Sequence, residues 1–277
     1  MSGTILEMLS YPFLVRALVV GLLVSLCASL LGVSLVLKRF SMIGDGLSHV
    51  GFGALAIASV LNIAPLYLAI PVCIAASFLL LRVSESTRIK GDAAIAMLSA
   101  GSLAIGVMVV SMTTGMNTDV YNYMFGSILS LSETDAILSA VLSAVVLVLF
   151  VLFYPRLFAV TFDETFSRAT GIPTRTYNAA LAILSSVTIV LGMRMMGALL
   201  ISSLVIFPVL TAMRAGKKYI SVTVLSAAVA VAGFLIGMVV SYVFEAPSGA
   251  SIVCVNIALF IVFALAGAIR NGIKKQS

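Results

Sequence analysis

Asp45 and His49 stand four residues apart in Ser41-Met-Ile-Gly-Asp45-Gly-Leu-Ser-His49-Val-Gly-Phe-Gly53, and His49 is the only histidine of the chain. On an α-helix, positions i and i+4 share a face, so this carboxylate and this imidazole project toward one point. That is a metal-ligand spacing. The flanking residues are apolar, and a carboxylate within a membrane span costs at least about 2.5 kcal/mol, so the pair is a functional-site candidate by default. Its structural alternative is an intramembrane hydrogen-bonded pair that holds two helices together.

The elements that must position this pair follow from composition. The chain has 277 residues, 62% of them hydrophobic and 9% charged, with a mean hydropathy of +1.23. A soluble fold has too little polar surface to cover such a core. The expected fold class is all-α, a polytopic membrane protein forming a single transmembrane domain over residues 1–277. Although the net charge is +6, the basic residues lie in short clusters between apolar spans, which argues for membrane orientation and against nucleic acid. Cys27, Cys73 and Cys254 fall inside apolar spans without a CxxC pattern and are expected to pack rather than pair or bind metal. The N-terminus lacks a basic region followed by a short apolar stretch and a small-residue cleavage site, so no removable signal peptide is expected.

Apolar runs of about 20 residues, enough to cross a bilayer, lie near 13–37, 41–61, 64–83, 90–115, 136–154, 176–193, 197–213, 219–243 and 249–270. The count is nine, or eight if two closely spaced runs form a broken or re-entrant pair. With the N-terminus outside, 14 of the 16 basic residues fall on inner segments. These are Lys38 and Arg39; Arg82, Arg88 and Lys90; Arg156, Arg168 and Arg175; Arg214, Lys217 and Lys218; and Arg270, Lys274 and Lys275. Only Arg16 and Arg194 fall at outer ends, and the outer stretch 116–135 carries Asp119, Glu133 and Asp135 with no basic residue. The positive-inside rule therefore gives N-out, C-in. Arg194 is expected to snorkel to water.

Three connecting stretches carry further signals. Tyr121, Tyr123 and Phe125 in the long outer segment read as interface anchors, with an outer gate as the functional alternative. In the turn Glu245-Ala-Pro247-Ser-Gly249, Glu245 reads as a solvated loop charge, with contact to an arriving ion or delivery protein as the alternative. On the inner side, residues 162–173 form a short amphipathic pattern, with Phe162, Phe166 and Ala169 at helical spacing and Gly171 then Pro173 closing it. It reads as a capped surface helix or as a lever that docks into another protein's groove.

Within the spans, Gly233 and Gly237 make a GxxxG contact surface, and Pro208 permits a local kink. Asp92 reads as an N-cap of the fourth span, with an inner exit ligand as the alternative. Ser48, Asn178 and Asn256 read as interhelical hydrogen-bonding groups worth about 0.6 kcal/mol each. For Ser48 the alternative is to orient the neighbouring Asp45 and His49.

Five stretches in order carry a family resemblance. They are Lys38-Arg39 before Gly44-Asp45-Gly-Leu-Ser48-His49-Val; Tyr123-Met-Phe125-Gly126-Ser127-Ile128; Phe162-Asp163-Glu164 through Gly171-Ile172-Pro173; Gly197-Ala-Leu-Leu-Ile-Ser202 with Pro208; and Glu245-Ala-Pro247-Ser-Gly-Ala-Ser251. Over nearly its full length the chain resembles the permease subunits of bacterial ABC importers for zinc and manganese, the ABC-3 type metal permeases, and looks most like the Gram-positive zinc-uptake members. Where that family often has Asp-Ala or Asp-Thr, this chain has Asp45-Gly46, which loosens the helix by up to about 1 kcal/mol.

The resemblance implies a type II importer-like permease in the bacterial cell membrane that carries no covalently bound cofactor and transports zinc, or alternatively manganese. It implies a homodimer around a central path, two cytoplasmic ATPase subunits and an external metal-binding protein. Asp163, Glu164, Phe166, Arg168, Gly171, Ile172 and Pro173 would form the coupling segment that the ATPases grip, and Asp45 and His49 would line the path. Around a two-fold axis each ligand appears twice, so two carboxylates and two imidazoles make a four-coordinate set suited to zinc. Manganese would need added water or carbonyl oxygens.

Two other classes fit less well. An ion-driven secondary transporter would use Asp45 as a proton carrier and show inverted internal symmetry, yet no second Asp-x3-His occurs. An intramembrane metalloprotease would need HExxH or a second histidine. Because GxxxxGK[ST] is also missing, ATP hydrolysis falls to a separate subunit and the chain itself is not expected to be an enzyme. An imidazole binds metal only when neutral, so metal loading should fall between about pH 7.5 and about pH 5. Equilibrium metal binding across that interval checks this, and constant loading would remove His49 from the ligand set.

Overall fold

A computed structural model describes residues 10–84, 91–113 and 132–276. Among them the helices are α1 (Pro12–Leu37), α2 (Ile43–Val60), α3 (Pro65–Ser84), α4 (Gly91–Thr113), α5 (Glu133–Phe162), α6 (Glu164–Ala169), α7 (Thr174–Met196), α8 (Ala198–Ala215), α9 (Tyr219–Phe244) and α10 (Ser248–Gln276). Eight of these are long and apolar enough to cross a membrane, namely α1 to α5, α7, α9 and α10, while α8 is a shorter apolar helix. The fold class is the expected one, an all-α polytopic membrane protein. The spans begin and end within a few residues of the apolar runs except α5, which at 30 residues is longer than the run 136–154, and α10, which continues to Gln276 beyond the run 249–270.

Polar contacts define two ends of the bundle. At one end Arg16 of α1 lies 3.6 Å from Glu133, and Arg194 near the end of α7 lies 3.0 Å from Asp135. At the other, Lys38 following α1 reaches Glu164 and Asn178, and Tyr219 opening α9 meets Ser34 at 2.9 Å. Tyr219 also meets the rings of Tyr154, Phe158 and Phe162 on one face of α5. The chain passes from Arg194 at the first end to Tyr219 at the second through α8, so α8 traverses the bundle. Its 18 residues extend about 27 Å, barely the apolar thickness of a bilayer. This short ninth helix, begun one residue after α7 at Gly197 with φ +84°, accounts for the two counts that the sequence allows.

The packing depends on glycines where backbones meet. On α2, a Cβ at Gly53 would lie 2.8 Å from the Ser102 carbonyl oxygen of α4, and one at Gly46 would lie 2.7 Å from Cγ2 of Ile95. Gly46 is therefore an adaptation to a close neighbour, beyond the helix-loosening residue its propensity suggests. Gly237 meets the Ile252 backbone of α10 and Gly233 meets Asn256, which is the expected GxxxG contact. Asn256 donates to the Ile252 carbonyl of its own helix at 3.0 Å, so its amide N–H bonds within α10 rather than between helices.

Within residues 162–173 the helix itself covers Glu164–Ala169. Phe162 ends α5, and Asp163 caps α6 by accepting from the Phe166 N–H at 2.8 Å. Gly171, at φ +84°, closes α6 with hydrogen bonds from Gly171 N–H to the Arg168 carbonyl and from Ile172 N–H to the Ser167 carbonyl. This is the left-handed cap that glycine permits at no steric cost. Asp92 lies in the first turn of α4, which begins at Gly91, and not at the N-cap.

At Gly53 the clash would be with backbone, so Gly53→Ala should destabilise the protein by about 1–3 kcal/mol. Gly101→Ala, on a side of α4 with nothing within 4 Å of the new Cβ, should be neutral or mildly stabilising. Thermal unfolding in detergent compares the two, and equal effects would refute this account of the α2–α4 contact.

Candidate metal site

α2 is buried around most of its surface, including Gly44, Leu47, Ser48, Val50, Phe52 and Leu55. Asp45 and His49 occupy the sector left partly open. The side chains are 39% and 19% exposed, and Nε2 of His49 stands 3.7 Å from Oδ1 of Asp45. That exceeds hydrogen-bond length. Two donors bound about 2.1 Å from one ion at the tetrahedral angle stand about 3.4 Å apart, so a small movement brings both onto a shared cation. Neither side chain hydrogen-bonds another helix among the described residues, and no third His, Cys, Asp or Glu joins them there.

Asp45 lies in the first turn of α2. Unpaired amide groups at a helix N-terminus favour a negative charge by about 0.3–1 kcal/mol, which offsets part of the cost that the sequence implies for this carboxylate. Ser48 is buried and donates to the Asp45 backbone carbonyl at 2.7 Å. Its hydroxyl thus fixes the turn that carries the carboxylate and does not reach the carboxylate itself. Cys73 of α3 donates to the Leu47 carbonyl at 3.6 Å, a packing role.

A polar cluster lies where α1, α6 and α7 meet. Lys38 Nζ donates to Asn178 Oδ1 at 2.5 Å and to Glu164 Oε2 at 3.5 Å, while Asn178 Nδ2 donates to the same Glu164 oxygen at 3.1 Å. Arg168 lies 3.4 Å from Glu164 on the exposed side. Burial lowers the Lys38 ammonium below the usual lysine range, partly offset by the Glu164 charge and hydrogen bond. Burial raises the Glu164 carboxyl, but the Asn178 hydrogen bond and the charges of Lys38 and Arg168 outweigh it, leaving a net downward shift. With a folded value below that of the exposed acid, the contribution of Glu164 is present above the ordinary carboxylate range. It is lost as pH falls through the depressed value. Sequence reading had Asn178 in an interhelical bond but missed the cluster, whose members are 126 and 140 positions apart with no local pattern to join them.

The remaining sequence candidates lie apart from the Asp45–His49 pair. Phe166 and Ala169 are exposed, as is Phe162, while Ser167 is buried, so the apolar stripe of α6 points away from this chain. Ile172 and Pro173 line a shallow groove with Glu164, Arg168 and Arg175. Glu245 is exposed at φ +51° in the turn after α9. Tyr121, Tyr123 and Phe125 lie outside the described residues. Arg194 is 16% exposed and Asp135 20%, so the expected snorkelling is replaced by a salt bridge that joins α7 to the N-terminal turn of α5.

The helices and their polar ends define a multi-pass, all-α membrane protein. A family model described as ABC 3 transport family matches residues 10–267, and the chain belongs to that family. The manganese transport system membrane protein MntC of Halalkalibacterium halodurans is 29% identical over 254 residues, covering 92% of this chain and 87% of that one. A probable iron transport system membrane protein of Haemophilus influenzae is 32% identical over 267 residues, covering 95% and 96%. The solved structure of PsaBC from Streptococcus pneumoniae in complex with Fab superposes with a TM-score of 0.85 at 27% identity, covering 95% of this chain and 94% of that one.

Removing Arg194 alone would leave a half-buried carboxylate without its partner. Arg194→Met should therefore cost about 1–3 kcal/mol, and Asp135→Asn with Arg194→Met should recover most of it. A double-mutant cycle by thermal unfolding measures the coupling; additive losses would mean that the ion pair contributes nothing.

Proposed function

We propose that this chain is the membrane-spanning permease of an ATP-driven importer for a divalent transition metal, with manganese ahead of zinc as cargo. The observation that carries the reading is the Asp45–His49 pair, two metal donors 3.7 Å apart on the open sector of an otherwise enclosed helix. One chain supplies two donors, and a second copy related by a two-fold axis would complete four. The proposed setting is the bacterial cell membrane with the C-terminus in the cytoplasm, since the Lys38, Arg156, Arg168 and Lys218 end is the basic one.

The work divides among the parts. An external metal-binding protein delivers the ion, the paired carboxylates and imidazoles hold it after it sheds water, and a cytoplasmic ATPase dimer drives the helices apart. The outward apolar stripe of α6, with Phe166 at its centre, supports docking of the ATPase there. ATP hydrolysis belongs to that partner.

Manganese is favoured on two grounds. The two curated relatives carry manganese and iron in their names, and the 39% exposed Asp45 side chain leaves room for the additional oxygen ligands that manganese takes. Zinc is the second reading, and the four-donor count favours it. Binding by nitrogen and oxygen donors without thiolate suits a site that must also release its ion.

Cells depending on this permease should lose uptake of the cargo metal at least about tenfold in Asp45→Ala and His49→Ala, with membrane levels unchanged. Uptake of manganese, iron and zinc, each supplied alone, names the cargo. Persistent uptake in both variants would move the path elsewhere.

A further inference from the structure

The Lys38 cluster joins two parts that the proposed transport cycle must couple. Its acid, Glu164, belongs to α6, whose outer face is offered to the ATPase. Its base, Lys38, lies five residues before Ile43, where the helix carrying Asp45 begins. Backbone hydrogen bonds brace the turn between them. Arg39 N–H donates to the Val36 carbonyl at 3.1 Å and Phe40 N–H to Leu35 at 2.8 Å, then Ile43 N–H donates to Phe40 at 3.0 Å and Gly46 N–H to Met42 at 3.1 Å. Arg39 holds the left-handed position of this turn at φ +63°, a conformation usually given to glycine.

The turn is therefore stiff, and it is seated. Leu35, Phe40 and Ile43 line the same cavity as Lys38, Glu164 and Asn178. The Lys38 side chain is only 11% exposed, so its ammonium has few water molecules to replace these partners. By contrast, α6 is six residues long, and Ser167 is its one buried residue. Among the described residues of α6, Glu164 is the side chain hydrogen-bonded to other parts of the bundle, through Lys38 and Asn178.

We propose that Lys38, Glu164 and Asn178 form a positioning latch that carries displacement of α6 to the first turn of α2 and so to Asp45. This rests on the function proposed above and adds the route by which ATPase movement reaches the metal ligands. Coupling of this kind travels through hydrogen-bond networks and rigid elements that have two arrangements. Lys38 touches neither metal nor ATPase in this scheme, and a merely structural role would show as parallel loss of transport, ATP turnover and stability with the transport ratio unmoved.

The test uses the permease assembled with its ATPase subunits and reconstituted in liposomes, with manganese and zinc each offered through the delivery protein. Lys38→Met keeps the apolar stem and removes the charge. We expect its ATP turnover to match wild type and its thermal stability to fall modestly, as for a buried ion pair that loses one partner, while metal ions moved per ATP fall about tenfold, within the usual range of coupling between sites. The exchange of Lys38→Glu with Glu164→Lys should restore at least about half of that ratio, and Asn178→Leu should show an intermediate loss. An unchanged ratio in Lys38→Met, or parallel loss of transport, ATP turnover and stability, would overturn the latch. If Lys38→Met fails to assemble, Lys38→Arg and Asn178→Asp are read by the same ratio and the same outcomes. Asp45→Ala serves as the separate control: retained transport in it sinks the metal-site reading whatever Lys38 does.

Discussion

The enclosure of α2 is the constraint on which the rest depends. The helix that carries a carboxylate and an imidazole among apolar neighbours buries its other faces tightly and leaves both groups on the one sector that stays partly open. Gly46 and Gly53 allow α4 to approach at near-backbone distance, Gly44 lies over Ser202 and Val205 of α8, and the Cys73 thiol of α3 reaches the Leu47 carbonyl. With those sides filled, the donor pair is left on the remaining sector. Close packing by small residues is what drives helix association where lipid is as apolar as the helices themselves.

The second constraint comes from the ends. Charged groups are expensive inside a bilayer and inexpensive at its surfaces, so ionic contacts collect where helices leave the apolar layer. Arg16 with Glu133 and Arg194 with Asp135 mark one end, and Lys38 with Glu164 marks the other. The two sets lie at opposite ends of α5 and are joined by α7, on which Asn178 and Arg194 stand 16 positions apart, about 24 Å of helix. That separation fixes α8 as a full traverse even though it is only 18 residues long.

Local patterns were legible in the sequence, and long-range partners were not. The Asp45–His49 spacing, the apolar runs, the Gly233–Gly237 contact and the Gly171 cap each follow from periodicity or from the one residue type a backbone position accepts. Arg194 looked misplaced because Asp135, its partner, is 59 positions away. Gly46 looked like a weakness because helix propensity knows nothing of Ile95. Residues 162–173 read as one amphipathic pattern because Phe162, Phe166 and Ala169 keep helical spacing across a break. Asp163, with φ −146° and ψ 98°, interrupts the helix between α5 and α6, and its side chain then caps the second. Composition shows amphipathic spacing, but a cap of this kind depends on one side chain turning back to one amide.

The two kinds of contact respond differently to motion. Steric contacts between glycines and apolar side chains along α2 have no direction, so helices can slide past one another by small amounts without losing a hydrogen bond. Ionic and hydrogen-bonded contacts at the ends have both distance and angle to satisfy, and they break or hold as units. A bundle built this way is compliant at the level of the donor pair and discrete at its ends. The resting geometry is then set by a few polar contacts near the surfaces. The 3.7 Å gap between Nε2 of His49 and Oδ1 of Asp45 belongs to the compliant part. With no hydrogen bond between the two side chains to break, a shift of a few tenths of an ångström in α2 changes their separation at small cost, whereas the polar contacts at the ends must break to move.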